Sequence, residues 1–378
     1  MSGHSKRARA LVTHRPIDGK VNWKLENVTV PLIQDDELLI RVVAAGVCHT
    51  DVAFSLRLDA FGVFPRVLGH EGAGYVEKIG PAVTIAKVGD PVLLSFASCT
   101  ACMNCTGGHP AYCPQMPALN YISEANTFYG ESGEGYEGKY FGQSSFASMT
   151  ACKESSVVNV AGIVKNEDEL KKFAPLGCGF QTGAGAVTNI AQAGKEDVVV
   201  ILGLGGVGLA ALMAANLSGC RLIIGVDRVE EKLEMAKGLG ASVVINTSDP
   251  TLDLVQAIKS LTDGYGASIT IETTGNMELI KSGVDFTALR GQIVFIGIPP
   301  ADAELNVHLV NLIQSGKCLR GCIEGDSVPR EYIPQMIQWN REGKFPLDGI
   351  IKYYKAEDWE QALADMKSGV TTKPVLTF

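Results

Sequence analysis

The stretch that most constrains this chain is Val198–Asp227, VVVILGLGGVGLAALMAANLSGCRLIIGVD. Its first five residues, Val198 to Leu202, are apolar and mostly β-branched and read as a buried parallel strand. They run into Gly203-Leu204-Gly205-Gly206-Val207-Gly208, a G-x-G-x-x-G spacing that passes directly into a helical pattern. A second apolar run, Leu222–Val226, ends on Asp227, 19 residues after the last glycine. In a strand–turn–helix of this kind the first glycine permits the tight turn. The second lets backbone approach a pyrophosphate, and the third lets helix pack on strand. The anion rests on the free N–H groups and positive dipole end of the helix. Asp227 falls where a carboxylate accepts hydrogen bonds from an adenosine ribose diol and repels a 2′-phosphate. The reading is a dinucleotide site that prefers NAD to NADP. A membrane span is the alternative, because Val198–Leu217 is 20 residues without a charge. Glycine at four of the six positions 203–208, in the middle of the chain, argues against it.

At 378 residues the chain exceeds one compact core and implies two domains. Hydrophobic residues at 46% and charged residues at 20% fit a soluble globular protein. A net charge of −8 disfavours a nucleic-acid or anionic-membrane surface. The basic N-terminal residues precede no apolar run, so no secretory signal is read and the expected compartment is the cytoplasm. Ten cysteines then point to metal rather than to a secreted disulfide framework.

Four of them, Cys99-x-x-Cys102-x-x-Cys105-x7-Cys113, fall within fifteen residues. Four thiolates at that spacing surround one zinc ion tetrahedrally and leave no open position, which makes a structural site. An iron–sulfur cluster competes for the same spacing. His109 lies inside this lobe but reads as a surface turn residue, since four thiols complete the shell. A second, dispersed set occurs in Gly46-Val47-Cys48-His49-Thr50-Asp51, Gly69-His70-Glu71-Gly72 and Gly177-Cys178-Gly179. Two thiolates and one imidazole form an open shell that keeps a position for water or substrate.

Short strands and turns run from Ala8 to about Gly89, including Glu37–Ala45 and Gly72–Ile79, and suggest a mainly-β, partly rolled domain. Tyr121–Ser145, rich in Gly, Ser, Glu and Tyr, reads as a long surface excursion. From about Gly179 strands and helices alternate. Candidate strands are Val198–Leu202, Leu222–Val226, Ser242–Ile245, Ser268–Glu272, Gln292–Ile296 and Lys317–Gly321, with helices such as Glu230–Leu239, Leu252–Thr262 and Glu278–Leu289. The fold class is α/β, with a six-stranded, doubly wound parallel Rossmann sheet. Val328–Gly343 reads as a helix, and the tail to Phe378 returns to the first domain.

The motifs GVCHTD, GHEGAG, the four-cysteine lobe, PLGCGFQTG, GLGGVG and IGIPP, in this order, resemble the zinc-dependent medium-chain alcohol dehydrogenases over essentially the whole chain. Several local features resemble the aryl- or benzyl-alcohol branch. The resemblance implies a discontinuous GroES-like catalytic domain, 1–180 and 322–378, with the cysteine lobe at 97–115, around a Rossmann domain at 181–321. It implies that Cys48, His70 and Cys178 bind a catalytic zinc, with Glu71 beside the metal and able to exchange onto it. Asp51 then orients His70, and Thr50 supplies the hydroxyl that bonds the reacting alcohol. On the cofactor side Thr182 and Ile296 flank the nicotinamide, with Ile298 close by. Gly203, Gly205, Gly206, Val207 and Gly208 line the dinucleotide, and Asp227, Arg228 and Lys232 meet its adenosine end. His49 matches a position that faces the pyrophosphate, where Lys373 assists.

One departure is Ala53, which stands where many relatives carry a histidine that ends a proton relay. The route then ends in water or another base; His49 is a candidate, though its position favours a phosphate contact. Ser95, Phe96, Leu119 and Tyr121 lie on segments that reach either a substrate cleft or ordinary packing. The expected activity is reversible, NAD-linked oxidation of a primary alcohol, aromatic or medium-chain and apolar, by a homodimer or homotetramer. Polyol or S-hydroxymethylglutathione oxidation on the same fold is the nearest rival. A catalytically silent cysteine-lobe adaptor or redox sensor is the rival from another class. Nucleic-acid binding by the lobe is disfavoured, because no Lys or Arg lies between Cys99 and Cys113.

Overall fold

The computed structural model describes residues 5–57, 61 and 63–378. The chain divides into two compact units: Met1–Cys178, Val328–Gln338 and Leu347–Phe378 form one, and Gly179–Ser327 with Trp339–Pro346 the other. The first begins with β1 (Lys6–Ile17) and β2 (Lys20–Val30), an antiparallel hairpin closed by Asp18-Gly19. Both turn residues have positive φ, the geometry that matches strand twist. β3 (Glu37–Gly46), β4 (Arg66–Val67), β5 (Gly72–Ile79), β6 (Pro91–Leu94), β7 (Glu124–Tyr129), β8 (Gly135–Gly138), β9 (Met149–Lys153) and β10 (Val157–Asn159) follow. β1, β2, β7, β8 and β4 close a barrel, while β10, β6, β5 and β3 run side by side in a second sheet, with β9 also on β3. Leu11, Val12, Trp23, Phe128 and Phe146 belong to one buried core, and Leu38, Ile40, Val42, Val92 and Leu94 to another.

The second unit contains β11 (Val198–Leu202), β12 (Leu222–Asp227), β13 (Val243–Asn246), β14 (Ala267–Glu272), β15 (Thr287–Phe295) and β16 (Cys318–Gly321), all parallel, in the order β13-β12-β11-β14-β15-β16. This is the doubly wound sheet anticipated from the sequence. β11 is flanked by β12 and β14, whose crossovers depart in opposite directions, so the glycine loop after β11 sits at the switch point where such sheets bind ligands. The helix Gly206–Leu217 is buried from Gly208 to Ala215, which accounts for its uncharged sequence. No helix among the described residues is long and apolar enough to cross a membrane. β15 starts at Thr287, five residues before the expected Gln292. Thr287 leaves the helix Met277–Phe286 directly opposite Ala267, and its hydroxyl bonds Thr270 at 2.8 Å.

The chain ends in the first unit with β17 (Ile351–Lys355), the helix Trp359–Ser368, and β18 (Lys373–Thr377). β18 pairs antiparallel with β3, setting Val375 opposite Gly46, and Val47 N–H donates to Pro374. The last residues therefore lie beside the Gly46–Asp51 segment.

One reading is corrected. Tyr121–Ser145 is not a surface excursion: β7 and β8 complete the barrel, and Phe128, Tyr136, Tyr140, Phe141, Gln143, Ser144 and Ser145 are buried. Four of its five glycines meet close neighbours, whereas Gly133, at φ +89°, has nothing within 4 Å. A Cβ on Gly138 would lie 2.2 Å from Thr127 Oγ1, and one on Gly135 would lie 1.8 Å from Asn126 Oδ1.

Candidate active site

The helix His49–Leu56 starts immediately after Cys48, whose N–H donates to Asp51 Oδ2 at 2.9 Å. This local bond ties the carboxylate back over the first turn and leaves the Cys48 thiol at the positive end of the helix, where a thiolate is favoured. The other Asp51 oxygen, Oδ1, accepts from Gly69 N–H at 3.2 Å and bonds His70 Nδ1 at 2.8 Å. Both His70 and Asp51 are fully buried. With Nδ1 donating to Asp51, Nε2 presents its lone pair, and Nε2 is a buried atom with no hydrogen-bond partner in the protein. It has other company: one ligand atom each from Cys48, His70, Glu71 and Cys178 lies within 4.8 Å of all the others. Cys178 and His70 both lower the pKa of Cys48, well below the ordinary thiol value and against the opposing effect of burial.

Such a set fits a dication. Thiolates at the half-buried Cys48 and the buried Cys178 would be costly without a compensating positive charge, and an aimed imidazole lone pair without a partner calls for a proton donor or a Lewis acid. Glu71 is balanced separately. Lys373 Nζ donates to its two carboxylate oxygens at 2.9 and 3.0 Å and to Val47 O at 3.3 Å. Burial works against the Lys373 charge, but Glu71 outweighs it and holds the ammonium above its ordinary pKa. Gly46 is required here, since a Cβ would lie 2.0 Å from Glu71 Oε2. The position of Lys373 on Glu71 was not anticipated from the sequence, which assigned it to a pyrophosphate.

In the lobe, Cys99, Cys102, Cys105 and Cys113 form a second group of four ligand atoms. Sγ separations of 3.8 Å (Cys99–Cys105), 3.4 Å (Cys102–Cys105) and 4.0 Å (Cys102–Cys113) bracket the ~3.8 Å edge of a tetrahedron with metal–sulfur bonds of ~2.3 Å. They are far longer than the ~2.05 Å of a disulfide. Backbone N–H groups of Cys102, Cys105 and Gln115 point at the sulfurs of Cys99, Cys102 and Cys113. Such donors, from Ala101 and Cys102, hold the Cys99 thiol down at about 6. His109 is exposed at the start of the Pro110–Tyr112 turn.

In the other unit the three fingerprint glycines occupy distinct environments. Gly203 has φ +89°, and a Cβ there would press on Thr273 and Thr274; one on Gly208 would lie 1.8 Å from Gly203 O; one on Gly205 would meet nothing within 4 Å. Turn, helix–strand contact and open approach are thus separated as the motif requires. Asp227 Oδ2 accepts from Leu204 N–H at 2.7 Å, and Oδ1 from the N–H groups of Arg228 and Val229 at 2.7 and 3.0 Å. Arg228 is exposed and Lys232, Gly206 and Val207 are half-buried, while Thr182 is buried in the helix Gly179–Gly185. Ile296 N–H donates to Glu272 O at 2.8 Å beyond β15, and Ile298 is exposed.

These geometries can be set beside known proteins. Residues 34–162 match the alcohol dehydrogenase GroES-like domain and residues 206–342 the zinc-binding dehydrogenase domain. A geraniol dehydrogenase from Castellaniella defragrans is 38% identical over 361 residues, 94% of each chain. The chain belongs to the zinc-dependent medium-chain alcohol dehydrogenases. Within this family, the crystal structure of benzyl alcohol dehydrogenase from Acinetobacter calcoaceticus superposes with a TM-score of 0.90 at 37% identity, covering 99% of both chains. An S-(hydroxymethyl)glutathione dehydrogenase from Paracoccus denitrificans is 31% identical over 90% of this chain and 92% of its own.

The family's alcohol chemistry directs attention to what surrounds His70. Phe141 stacks on its ring at 4.5 Å and 26°, and Tyr140 meets it edge-on at 5.6 Å. The rings continue through Phe54, Phe61 and Tyr121 at centroid distances of 5.3 to 6.2 Å. Tyr121, one of four cleft residues considered from the sequence, belongs to this cluster. Ser95 is fully buried with its hydroxyl on Gly177 O at 2.7 Å, Phe96 is buried, and Leu119 is half-buried. Thr50 Oγ1 lies 3.5 Å from Cys48 Sγ, whereas His49 and Ala53 are exposed on the same helix. Sequence reasoning missed Tyr140, Phe141 and Gln143. The one available signal was three aromatic or amide residues closing a Gly/Ser-rich stretch just before Ser144-Ser145-Phe146.

Proposed function

We propose that this chain catalyses NAD-linked, reversible oxidation of a primary alcohol to an aldehyde, with aromatic or medium-chain apolar alcohols as substrates. The observation that carries the reading is the buried His70 Nε2, partnerless and grouped with Cys48, Glu71 and Cys178, while Asp51 holds Nδ1. We assign a catalytic zinc to Cys48, His70 and Cys178, and a structural zinc to Cys99, Cys102, Cys105 and Cys113. Held at the first site, zinc would supply the Lewis acidity that lowers the pKa of an alcohol hydroxyl, and NAD held at the glycine loop would supply the hydride acceptor.

The remaining work falls to side chains. Asp51 fixes the tautomer and direction of His70. Thr50, beside Cys48, takes the substrate hydroxyl proton into a hydrogen bond. Lys373 retains Glu71 in an ion pair, from which the carboxylate can exchange toward the metal. The glycine loop and Asp227 hold the dinucleotide, with Thr182, Ile296 and Ile298 at its nicotinamide and Arg228, Lys232 and His49 on its charged or adenosine portions. Since Ala53 offers no base, the proton route from Thr50 ends in water or His49.

The aromatic rings Phe54, Phe61, Tyr121, Tyr140 and Phe141, which continue from the ring of His70, support an apolar, preferably aryl, substrate. Oxidation of S-hydroxymethylglutathione is the second reading, favoured by the relative from Paracoccus denitrificans. A homo-oligomer is supported by the exposed apolar residues Leu309, Val310 and Ile313 and by the edge position of β16. The decisive experiment measures NAD⁺ and NADP⁺ reduction with benzyl alcohol, geraniol, hexanol, sorbitol and S-hydroxymethylglutathione, with zinc content determined on the same sample. Turnover confined to the last two substrates would defeat the proposal.

A further inference from the structure

The three proposed zinc ligands come from sequence-distant segments, and Asp51 joins only two of them, Cys48 and His70. A separate set of bonds reaches the backbone beside Cys178. We propose that Gln143 and Ser95 form a buried clamp that sets the separation of the His70 and Cys178 backbones, and so act as positioning residues for the metal.

Gln143 is fully buried, and its side chain has every hydrogen-bonding group committed to main chain. Nε2 donates to His70 O and to Ser95 O, both at 2.9 Å, and Oε1 accepts from Gly72 N–H at 3.2 Å. Ser95 continues the connection: its hydroxyl donates to Gly177 O at 2.7 Å, one residue before Cys178. Gly177 presses against the same place, since a Cβ there would lie 2.0 Å from Leu94 O. The path from His70 through Gln143 and Ser95 to Cys178 thus uses only short, buried bonds. An amide is the side chain that can do this, because it must give two protons to carbonyls and take one from an N–H.

The segment carrying Gln143 is itself pinned. Lys139, Phe141, Gly142 and Ser144 all have positive φ, between 54° and 67°. Lys139 Nζ is bound to the buried Glu37 and, at 2.9 Å, to Glu124. Ser144 Oγ donates to Val67 O at 2.6 Å, and Thr150 Oγ1 donates to Gln143 O. Ser145 and Phe146 N–H groups bond Gly69 O and Leu68 O, just before His70. A backbone held in this unfavourable region places Phe141 on one face of His70 and Gln143 on its carbonyl.

The inference rests on the assignment of zinc to Cys48, His70 and Cys178, and the test separates the two. Zinc is counted in the wild type and in Cys48→Ser. The rate at which a chelator removes each ion is then followed in Gln143→Glu, Gln143→Leu and Ser95→Ala, together with the visible spectrum after cobalt replaces the ion at the Cys48 site. Gln143→Glu keeps the shape and the Gly72 contact but sets a carboxylate against two carbonyl oxygens. We expect one ion to leave ~10–100-fold faster than in the wild type, with an altered cobalt band and the lobe ion unaffected. Unchanged loss rates and superimposable cobalt spectra in Ser95→Ala and a folded Gln143 variant would overturn the clamp while leaving the site standing. Should the Gln143 variants fail to fold, Ser95→Ala, which removes a single hydroxyl, decides alone. A wild type holding one ion, unaffected by Cys48→Ser, overturns the site assignment and the clamp together.

Discussion

Replacing Asp227 by glycine tests how this chain chooses its dinucleotide. The carboxylate is not free to swing aside: Leu204, Arg228 and Val229 N–H groups hold both oxygens at 2.7 to 3.0 Å at the end of β12. A ribose diol would meet fixed acceptors, and a 2′-phosphate would meet a fixed negative charge. Hydrogen bonds to a charged group contribute ~1.5–3 kcal/mol, so losing them should weaken NAD by about 2 kcal/mol, or ~30-fold in kcat/KM. Two unit charges ~4 Å apart repel by ~1 kcal/mol in water and ~4 kcal/mol at an effective dielectric of ~20. For a half-buried carboxylate against a phosphate of about −1.5 to −2, about 2 kcal/mol is a conservative figure after salt screening. Together these imply that Asp227→Gly shifts the NAD-to-NADP ratio of kcat/KM by ~100–1000-fold. Asp227→Asn, which keeps acceptor capacity but loses the charge, should recover part of NAD binding and still admit NADP. The assay is initial rate against each cofactor at saturating alcohol and fixed ionic strength. A wild type that prefers NADP⁺, or a ratio that moves less than about threefold in Asp227→Gly, refutes the reasoning.

Three further outcomes are expected. Cys102→Ser should remove the lobe metal, leaving one zinc per chain by atomic absorption and lowering the melting temperature, because three thiolates cannot close the tetrahedron. Lys139→Met should destabilise the fold by ~2–4 kcal/mol, since it strips the buried Glu37 of one cation while Lys153 remains at 3.0 Å; chemical denaturation would register it, and a loss below ~0.5 kcal/mol would contradict it. Asp365 is held at about 2 by Lys352, Tyr354 and Gln361, below its ordinary 3.8. Its stabilisation is therefore complete above the unfolded value and lost as pH falls through the folded one. The gap in melting temperature between wild type and Asp365→Asn should accordingly narrow from pH 5 to pH 3, and a gap that widens would reverse the sign.

Local chemistry made much of this protein readable from its residues alone. The parallel sheet followed from apolar runs that strands buried on both faces require, and β11 begins and ends where the run Val198–Leu202 does. The glycine loop was legible because each glycine answers a separate steric demand within six residues. The lobe was legible because its four cysteines are close in sequence and need no tertiary fold to be recognised as a group. Cys48, His70 and Cys178 were harder, being scattered, and entered through resemblance to a family rather than through spacing.

What the sequence could not determine depended on contacts between distant segments. Tyr121–Ser145 has the composition of a loop, yet barrel closure buries Thr127, Phe128, Tyr136 and the run 138–145, where a Cβ on Gly138 would collide with Thr127 and Phe128. The ion pair of Lys373 with Glu71, 302 residues away, exists because β18 pairs with β3, a contact that no local spacing announces. Gln143 carries no motif at all; only when Gly72, His70 and Ser95 converge do its three bonds exist. Residue type and short-range spacing determined which chemistry this chain can hold. The tertiary structure decided which side chains hold it in place, since a buried polar group is satisfied only by the partners that folding brings to it.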